Sequence, residues 1–501
     1  MIQGIDYAAL SPTLIVALAA VAVLVADAFD LPRNMVSWIS VGSLIAGLIA
    51  VFALAAGDRR ATFCLPSGLR AGGPPSCSYV ADDFTLLFQG VVLGAAVVVL
   101  LLSLGEMQGS PGGATPPRAM PAGEYHFLLL AAITGALTLV AARDLITLVV
   151  ALETLSLPVF ALVALRRYDG AATEAAVKLL LVSVISTAIM LFGISLVYGV
   201  TGSMHLDRIA AALAHTPADL RPVASAGIVL VLAGFAFKIA AVPFHFWAPD
   251  VYQGAPLPIA AFLSVVSKAA GFAGLAITVS LGFPSYGHVW GPLVGVLAAV
   301  TMTLGNLVAL WQRHPVRLLA WSSVAQSGYM LAPLAVGSKR LPEAVAATAA
   351  YVAMYAVMNI GAFAVVTAVA RRTAAESVPD LGDYRGLGWR NPVLAAALAF
   401  FLICLAGLPP GIMGLFAKIV VFRATVAGGA TWLAVVMALN TVIGLYYYLT
   451  WAVRLFAAPA AETHKIRTST AVGLAVGTAA AGAVLLSVAP QIVLQTVSAV
   501  T

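Results

Sequence analysis

Charge is what this chain has least of. Only 9% of its 501 residues are Asp, Glu, Lys or Arg, against about 25% in soluble domains. With 62% hydrophobic residues, that scarcity excludes a water-soluble globular domain and makes the chain an integral membrane protein. The net charge of +6 gives no reason to invoke nucleic acid, because the basic residues lie mostly in connections between apolar runs, where they set membrane orientation. Cysteine is equally sparse, at 3. With no CxxC pair and no Cys/His spacing suited to a metal, the sequence offers no redox centre. Cys404 lies in an apolar run as a small core residue. Cys64 and Cys77 share one connection, FCLPSGLRAGGPPSC, and are either a disulfide facing an oxidising compartment or two unrelated thiols. Long polar segments are missing too. The connections at 57–79, 105–123, 201–221 and 371–391 leave no room for a second globular domain.

What is present is a series of apolar runs. A helix needs roughly 20 apolar residues to cross about 30 Å of hydrocarbon. That measure gives about fourteen spans, in an all-α polytopic fold: 11–29, 34–56, 80–104, 124–142, 144–166, 174–200, 222–249 (interrupted), 257–282, 292–312, 315–336, 343–370, 393–427 (interrupted), 431–457 and 470–490. They are numbered spans 1 to 14 below. The first run carries Asp6 and lacks a basic leader, so it is expected to be a retained helix rather than a signal peptide. With the N-terminus outside, the inner connections hold the larger share of the basic residues: Arg33, Arg118, Arg166, Arg167, Lys178, Arg313, Arg317, Arg371, Arg372, Arg385, Arg390, Arg454, Lys465 and Arg467. Both termini are therefore expected outside.

Spans 7 and 12 are the two broken by proline, and each has a lysine beside its break. Span 7 reads FAFKIAAVPFHFW, lysine then break, and span 12 reads GLPPGIMGLFAKIVVF, break then lysine. Proline removes a backbone donor and frees a carbonyl, which survives at membrane depth only where protein or water meets it. If spans 4–8 and 9–13 are two five-helix units, an odd number of spans inverts the second relative to the first, and the exchanged order of lysine and break follows. The expected organisation is then residues 1–123 with three spans, repeats over 124–282 and 283–457, and a last helix in 458–501. Two unrelated proline kinks are the plainer alternative.

Few residues inside the spans can carry charge. A lysine at mid-membrane costs roughly 2.5–3.5 kcal/mol, yet Lys238, Lys268 and Lys418 all lie within apolar runs. Glu153 is nine residues into span 5, so roughly 14 Å deep at the helical rise, and Lys268 comes out roughly 17 Å deep. Glu153 and Lys238 are thus expected at similar depth, where a pair about 6 Å apart would interact by roughly 3 kcal/mol. The same pair could equally be a static packing device. In span 10, AWSSVAQSGYM, the residues Ser322, Ser323, Gln326 and Tyr329 form a polar row that can hold water or simply bind helices together. His245 is a possible proton relay or a cap for loose backbone groups in the break. Lys178 stands four residues after Glu174 near the inner end of span 6, a position from which a lysine snorkels. Arg143, Asp144 and Asp250 lie at helix ends and read as anchors.

These stretches resemble the antiporter-like membrane subunits of respiratory complex I, and among them the N type of bacterial NADH:quinone oxidoreductase. The likeness runs from span 4 to span 13. It is most specific in VPFHFWAPDVYQGAP at 242–256, with EAAVKLLL at 174–181, GNLVALWQRHPVRLLAWSSVAQSGY at 305–329, NIGAF at 359–363 and LAGLPPGIMGLFAKIVVF at 405–422 in support. The related M and L types tend to read PLHTWLPDAH at the first stretch. The M type has a glutamate where Lys418 stands, and the L type adds a long lateral helix.

The resemblance implies a proton relay of Glu153, Lys238, Lys268 and Lys418. His245, Gln326, Ser322, Ser323, Tyr329 and Lys178 would support it. It departs from many relatives at Gln326, where a histidine is common, since glutamine can orient water but does not titrate. The resemblance also implies a place in the bacterial cell membrane and partners in the M-type subunit and the small subunits near the quinone module. NADH, FMN, iron–sulfur clusters and quinone would then belong to partner subunits, with no cofactor, metal or nucleic acid on this chain. A stand-alone or Mrp-type cation/proton antiporter is the alternative in another class, and a purely structural membrane scaffold is a third.

Overall fold

The structure, a computed structural model, describes residues 4–66, 75–107, 121–165, 169–370, 379–458 and 468–499. Arg118, Arg166, Arg167, Arg371, Arg372, Lys465 and Arg467 of the orientation argument lie outside them.

Each of the fourteen apolar runs is helical. Twelve helices among the described residues are long and apolar enough to cross a membrane. The remaining two runs are span 10, Pro315–Leu331 with a tighter turn over Ala332–Val336, and the two halves of span 12, Pro392–Ala406 and Ile412–Ala427. Span 7 is likewise split, into Arg221–Lys238 and Trp247–Gly254. Both breaks contain a cis X–Pro bond, at Val242–Pro243 and Pro409–Pro410, and a left-handed residue, Ala240 (φ 56°) and Gly407 (φ 80°).

Spans 8 (Leu257–Gly282) and 11 (Leu341–Ala370) are buried along nearly their whole length and form the axis of the bundle. Spans 1, 2 and 14 lie at its edge, with about a third of their residues covered. Close approach relies on small residues, as expected where lipid removes the hydrophobic drive between helices. A Cβ on Gly193 of span 6 would meet Gly227 O of span 7 at 2.7 Å. Similarly, a Cβ on Gly305 of span 9 would meet Ala325 N of span 10 at 2.5 Å. Span 8 is not a regular α-helix: its ladder widens to π turns at Leu263–Ser267 and Thr278–Gly282, and Lys268 follows the first of these directly.

Several short elements lie outside the expected spans, among them a single turn at Leu387–Arg390 and a 3-10 turn at Pro284–Tyr286. Leu206–Ala214 is a short helix in the connection after span 6, and Gln491–Ala499 is another after span 14. The connection between spans 2 and 3 forms an antiparallel hairpin, β1 (Arg60–Cys64) and β2 (Cys77–Ala81), in which Cys64 and Cys77 are register partners and are joined by a disulfide. The hairpin closes one end of the bundle. Tyr79 bonds Thr13 of span 1 and Gln89 of span 3 through its hydroxyl, and Arg143 N donates to Ser78 O. The Arg143 guanidinium reaches Asp82 at 2.7 Å and Thr85 at 2.9 Å. Arg143 and Asp144, which caps span 5 through Thr147 N, are the anchors their positions suggested.

Candidate functional site

The three intramembrane lysines are buried, with 7%, 2% and 7% of Lys238, Lys268 and Lys418 exposed. None faces a carboxylate within ion-pair distance among the described residues. Each is held instead by neutral acceptors, which satisfy an ammonium without fixing its proton as a carboxylate would.

Lys238 is the last residue of the first half of span 7, and its Nζ donates to Ser156 Oγ of span 5 at 2.9 Å. A cavity of about 10 Å³ lies beside it, lined by Ser156, Ser183, Phe237, Trp247 and Ser267 among others. That is on the order of the space one water needs, and the buried Ser183 hydroxyl there has no hydrogen-bond partner among the described residues. Glu153 stands three residues before Ser156. The expected Glu153–Lys238 pair is not joined: Glu153 Oε1 accepts from Thr187 Oγ1 of span 6 at 2.6 Å. Glu153 is half-buried and recurs at helical spacing with the exposed Ile146, Val150 and Leu157. It therefore lies toward the outer face of span 5, while Ser156 faces inward.

Lys268 donates to Ser323 O and Ser323 Oγ, both at 2.6 Å, and to Ser327 Oγ at 2.8 Å. Tyr355 of span 11 donates to Ser323 Oγ at 2.7 Å, and its ring centre lies 5.8 Å from the ammonium. Ser327 in turn donates to Ile239 O at 2.7 Å, in the break beside Lys238. Ser327 thus ties Lys268 to the backbone of the break that follows Lys238.

Lys418 donates to Ala406 O, the end of the first half of span 12, at 2.6 Å and lies 5.5 Å from the Tyr329 ring centre. Tyr329 stacks on Tyr351, whose hydroxyl donates to Gln326 Oε1 at 2.6 Å. Gln326 Nε2 donates to Tyr448 OH at 3.2 Å and to Leu405 O at 3.4 Å. Tyr448 and Ser322 share a hydrogen bond of 2.5 Å. The four polar residues of span 10 are all buried and partnered: Ser323 meets Lys268 and Tyr355, Ser322 and Gln326 meet Tyr448, and Tyr329 meets Thr441 and the Tyr351 ring. Lys418 also borders an open groove of about 610 Å³ shared with Gly407, Leu415, Ile419, Phe422 and Ala438.

Two supporting residues stand apart. The His245 ring lies 5.4 Å from Trp321, and no hydrogen bond joins it to any of the lysines. Lys178 is exposed and pairs with Glu174 at 2.6 Å and Asp250 at 2.9 Å; Asp250 also meets Arg317 at 2.8 Å. This cluster ties span 6, the second half of span 7 and span 10 at one membrane surface.

Sequence reasoning did not pick out Ser156, Thr187, Ser327, Tyr351, Tyr355 or Tyr448. Ser323 and Ser327, like Tyr351 and Tyr355, are four residues apart on one helix face, a spacing that could have marked them.

Residues 142–444 match the family described as NADH:quinone oxidoreductase/Mrp antiporter, TM. The chain is 51% identical to NADH-quinone oxidoreductase subunit N 2 of Streptomyces griseus subsp. griseus, covering 99% of this chain and 94% of that one. It is 46% identical to subunit N of Salinispora tropica, over 90% of this chain and 85% of the relative. Among solved structures, a chain of respiratory complex I from Thermus thermophilus superposes with a TM-score of 0.77 at 30% identity, covering 97% of this chain and 99% of that one. A chain of the Mrp complex from Dietzia sp. DQ12-45-1b shares the fold, with a TM-score of 0.83 at 20% identity over 99% of this chain and 96% of that one.

Proposed function

The chain belongs to the NADH:quinone oxidoreductase/Mrp antiporter membrane family, and on that premise we propose that it is a proton-translocating N-type subunit of an NADH:quinone oxidoreductase. The observation that carries the reading is the placement of three buried lysines at the two breaks and on span 8, each held by neutral hydroxyls or carbonyls. A proton held on Lys238 passes to Lys268 across the span 7 break, then through the span 10 network to Lys418. The groove beside Lys418 gives that lysine its exchange with the membrane surface. Glu153 sets the occupancy of Lys238: a movement of span 5 that brings the carboxylate toward the ammonium favours its charged form, and withdrawal releases the proton.

Electron transfer from NADH to quinone, with FMN and iron–sulfur clusters, takes place in partner subunits. The M-type subunit and the small subunits near the quinone module are the expected neighbours. Solubilised gently from its own membrane, the chain should co-purify with NADH-oxidising activity. A chain that purifies without it, and exchanges cations for protons when reconstituted alone, would be a stand-alone or Mrp-type antiporter instead.

The hairpin bears on sidedness. Asp6 N donates to Thr62 Oγ1, and Arg60 pairs with Asp6 at 3.1 Å, so the N-terminal end and the disulfide share one side. A disulfide persists in an oxidising compartment, which, with the distribution of basic residues, supports a reading with this side outside the cell membrane. In intact cells, an impermeant reductant followed by an impermeant maleimide should label Cys64 and Cys77. Labelling confined to inverted vesicles would reverse the orientation.

A further inference from the structure

The prolines of the two breaks leave specific carbonyls without their helical donors. In an α-helix the carbonyl of residue i accepts from N–H of residue i+4. Pro243 therefore frees Ile239 O, while Pro409 and Pro410 free Leu405 O and Ala406 O. Each freed carbonyl has a side-chain donor. Ile239 O accepts from Ser327, Leu405 O from Gln326 and Ala406 O from Lys418.

Gln326 and Ser327 are consecutive residues of one helix, yet they cap different broken helices. On an α-helix, neighbours point about 100° apart, so a single turn of span 10 can face span 7 on one side and span 12 on the other. Both side chains are buried, at 3% and 0% exposure. Each cap is also tied to a proton-carrying lysine. Ser327 accepts from Lys268 while donating to the peptide next to Lys238. Gln326 caps the carbonyl that immediately precedes the one held by Lys418, and its amide oxygen is fixed by Tyr351. Span 10 itself is anchored against span 9, where a Cβ on Gly328 would meet Met302 N at 2.6 Å.

We infer that Gln326 and Ser327 form a positioning staple that holds both broken helices on one turn of span 10 and keeps Lys238, Lys268 and Lys418 in register. This rests on the relay proposed above. Glutamine suits the task because it donates and accepts at once and keeps the same hydrogen-bonding groups whatever the proton occupancy of the lysines. At this position the amide acts as a fixed strut, and the proton passes by the hydroxyls around it.

The test uses the whole oxidoreductase in inverted membrane vesicles and reads protons moved per NADH oxidised, normalised to assembled complex. Gln326→Leu and Ser327→Ala each remove one cap. Gln326→His and Ser327→Thr keep a donor and serve as rescues, with Lys268→Ala as the reference for the relay itself. Each cap variant should lower the proton-to-NADH ratio by about tenfold for the protons this chain carries, the loss associated with a hydrogen bond to a charged network. The rescues should recover most of it. The double variant should fall no further than the worse single one, since the caps act on one register. If the cap variants pump at the wild-type ratio while Lys268→Ala does not, the staple is wrong and the relay stands. Normal pumping by Lys268→Ala removes the relay itself. Failure of cap and rescue variants alike to assemble would make the two residues structural caps only, and would also overturn the inference.

Discussion

Lys238→Ala is expected to leave the oxidoreductase assembled and to lower proton flux through this chain by on the order of a hundredfold, the scale of a lost positioned proton carrier. The structural side of that expectation follows from the burial of Lys238. Its ammonium is taken out of water and, among the described residues, compensated by one hydrogen bond, to Ser156, so removing it relieves a desolvation penalty of several kcal/mol and strands no partner charge. The break it adjoins stays capped by Ser327 at Ile239 O and by Thr301 at Val242 N. Water can enter the space beside Ser156 and Ser183, where a small cavity already lies. Lys238→Arg sharpens the result. Arginine keeps the charge but does not release a proton in a protein, so it should restore a packing role and fail as a carrier. Proton uptake by dye quenching in vesicles, per NADH oxidised, reads both variants. Wild-type stoichiometry in Lys238→Ala would exclude the relay at that residue, and full rescue by arginine would point to a scaffold.

Much of this arrangement is legible in the sequence, for a physical reason. A membrane span must satisfy its own backbone, so length and hydropathy alone locate it, and the fourteen runs found that way are all helical. The breaks in spans 7 and 12 are equally local, because proline acts on its own chain. What the sequence leaves hidden is the set of cross-helix partners. Ser156, Tyr355 and Tyr448 are ordinary residues of apolar runs until packing brings them to Lys238, Ser323 and Gln326. The depth argument put Glu153 and Lys238 level, but depth says nothing about azimuth. Glu153 turns to Thr187 on the outer side, and its neighbour Ser156, one helical turn on, takes the lysine. The hairpin was missed because five-residue strands in a Gly/Pro-rich connection carry little periodicity. The cysteines at its ends were its one clear mark.

Lys418→Ala should have the second large effect, of a different kind. Lys418 both carries the proton and caps Ala406 O, so the substitution bares that carbonyl and costs roughly 1–3 kcal/mol of stability, the penalty of an unsatisfied buried group. The functional loss is larger, because Lys418 is the last carrier before the surface and, among the described residues bonded to Gln326 and Tyr351, none is basic. Protons arriving from Lys268 then have no site from which to leave. Coupled NADH oxidation in tight vesicles should fall together with the proton-to-NADH ratio, again by on the order of a hundredfold for this chain's share. Lys418→Arg should do no better, since it cannot discharge. Coupled turnover equal to wild type in Lys418→Ala would take Lys418 off the path and leave the groove beside it without a role in proton exit.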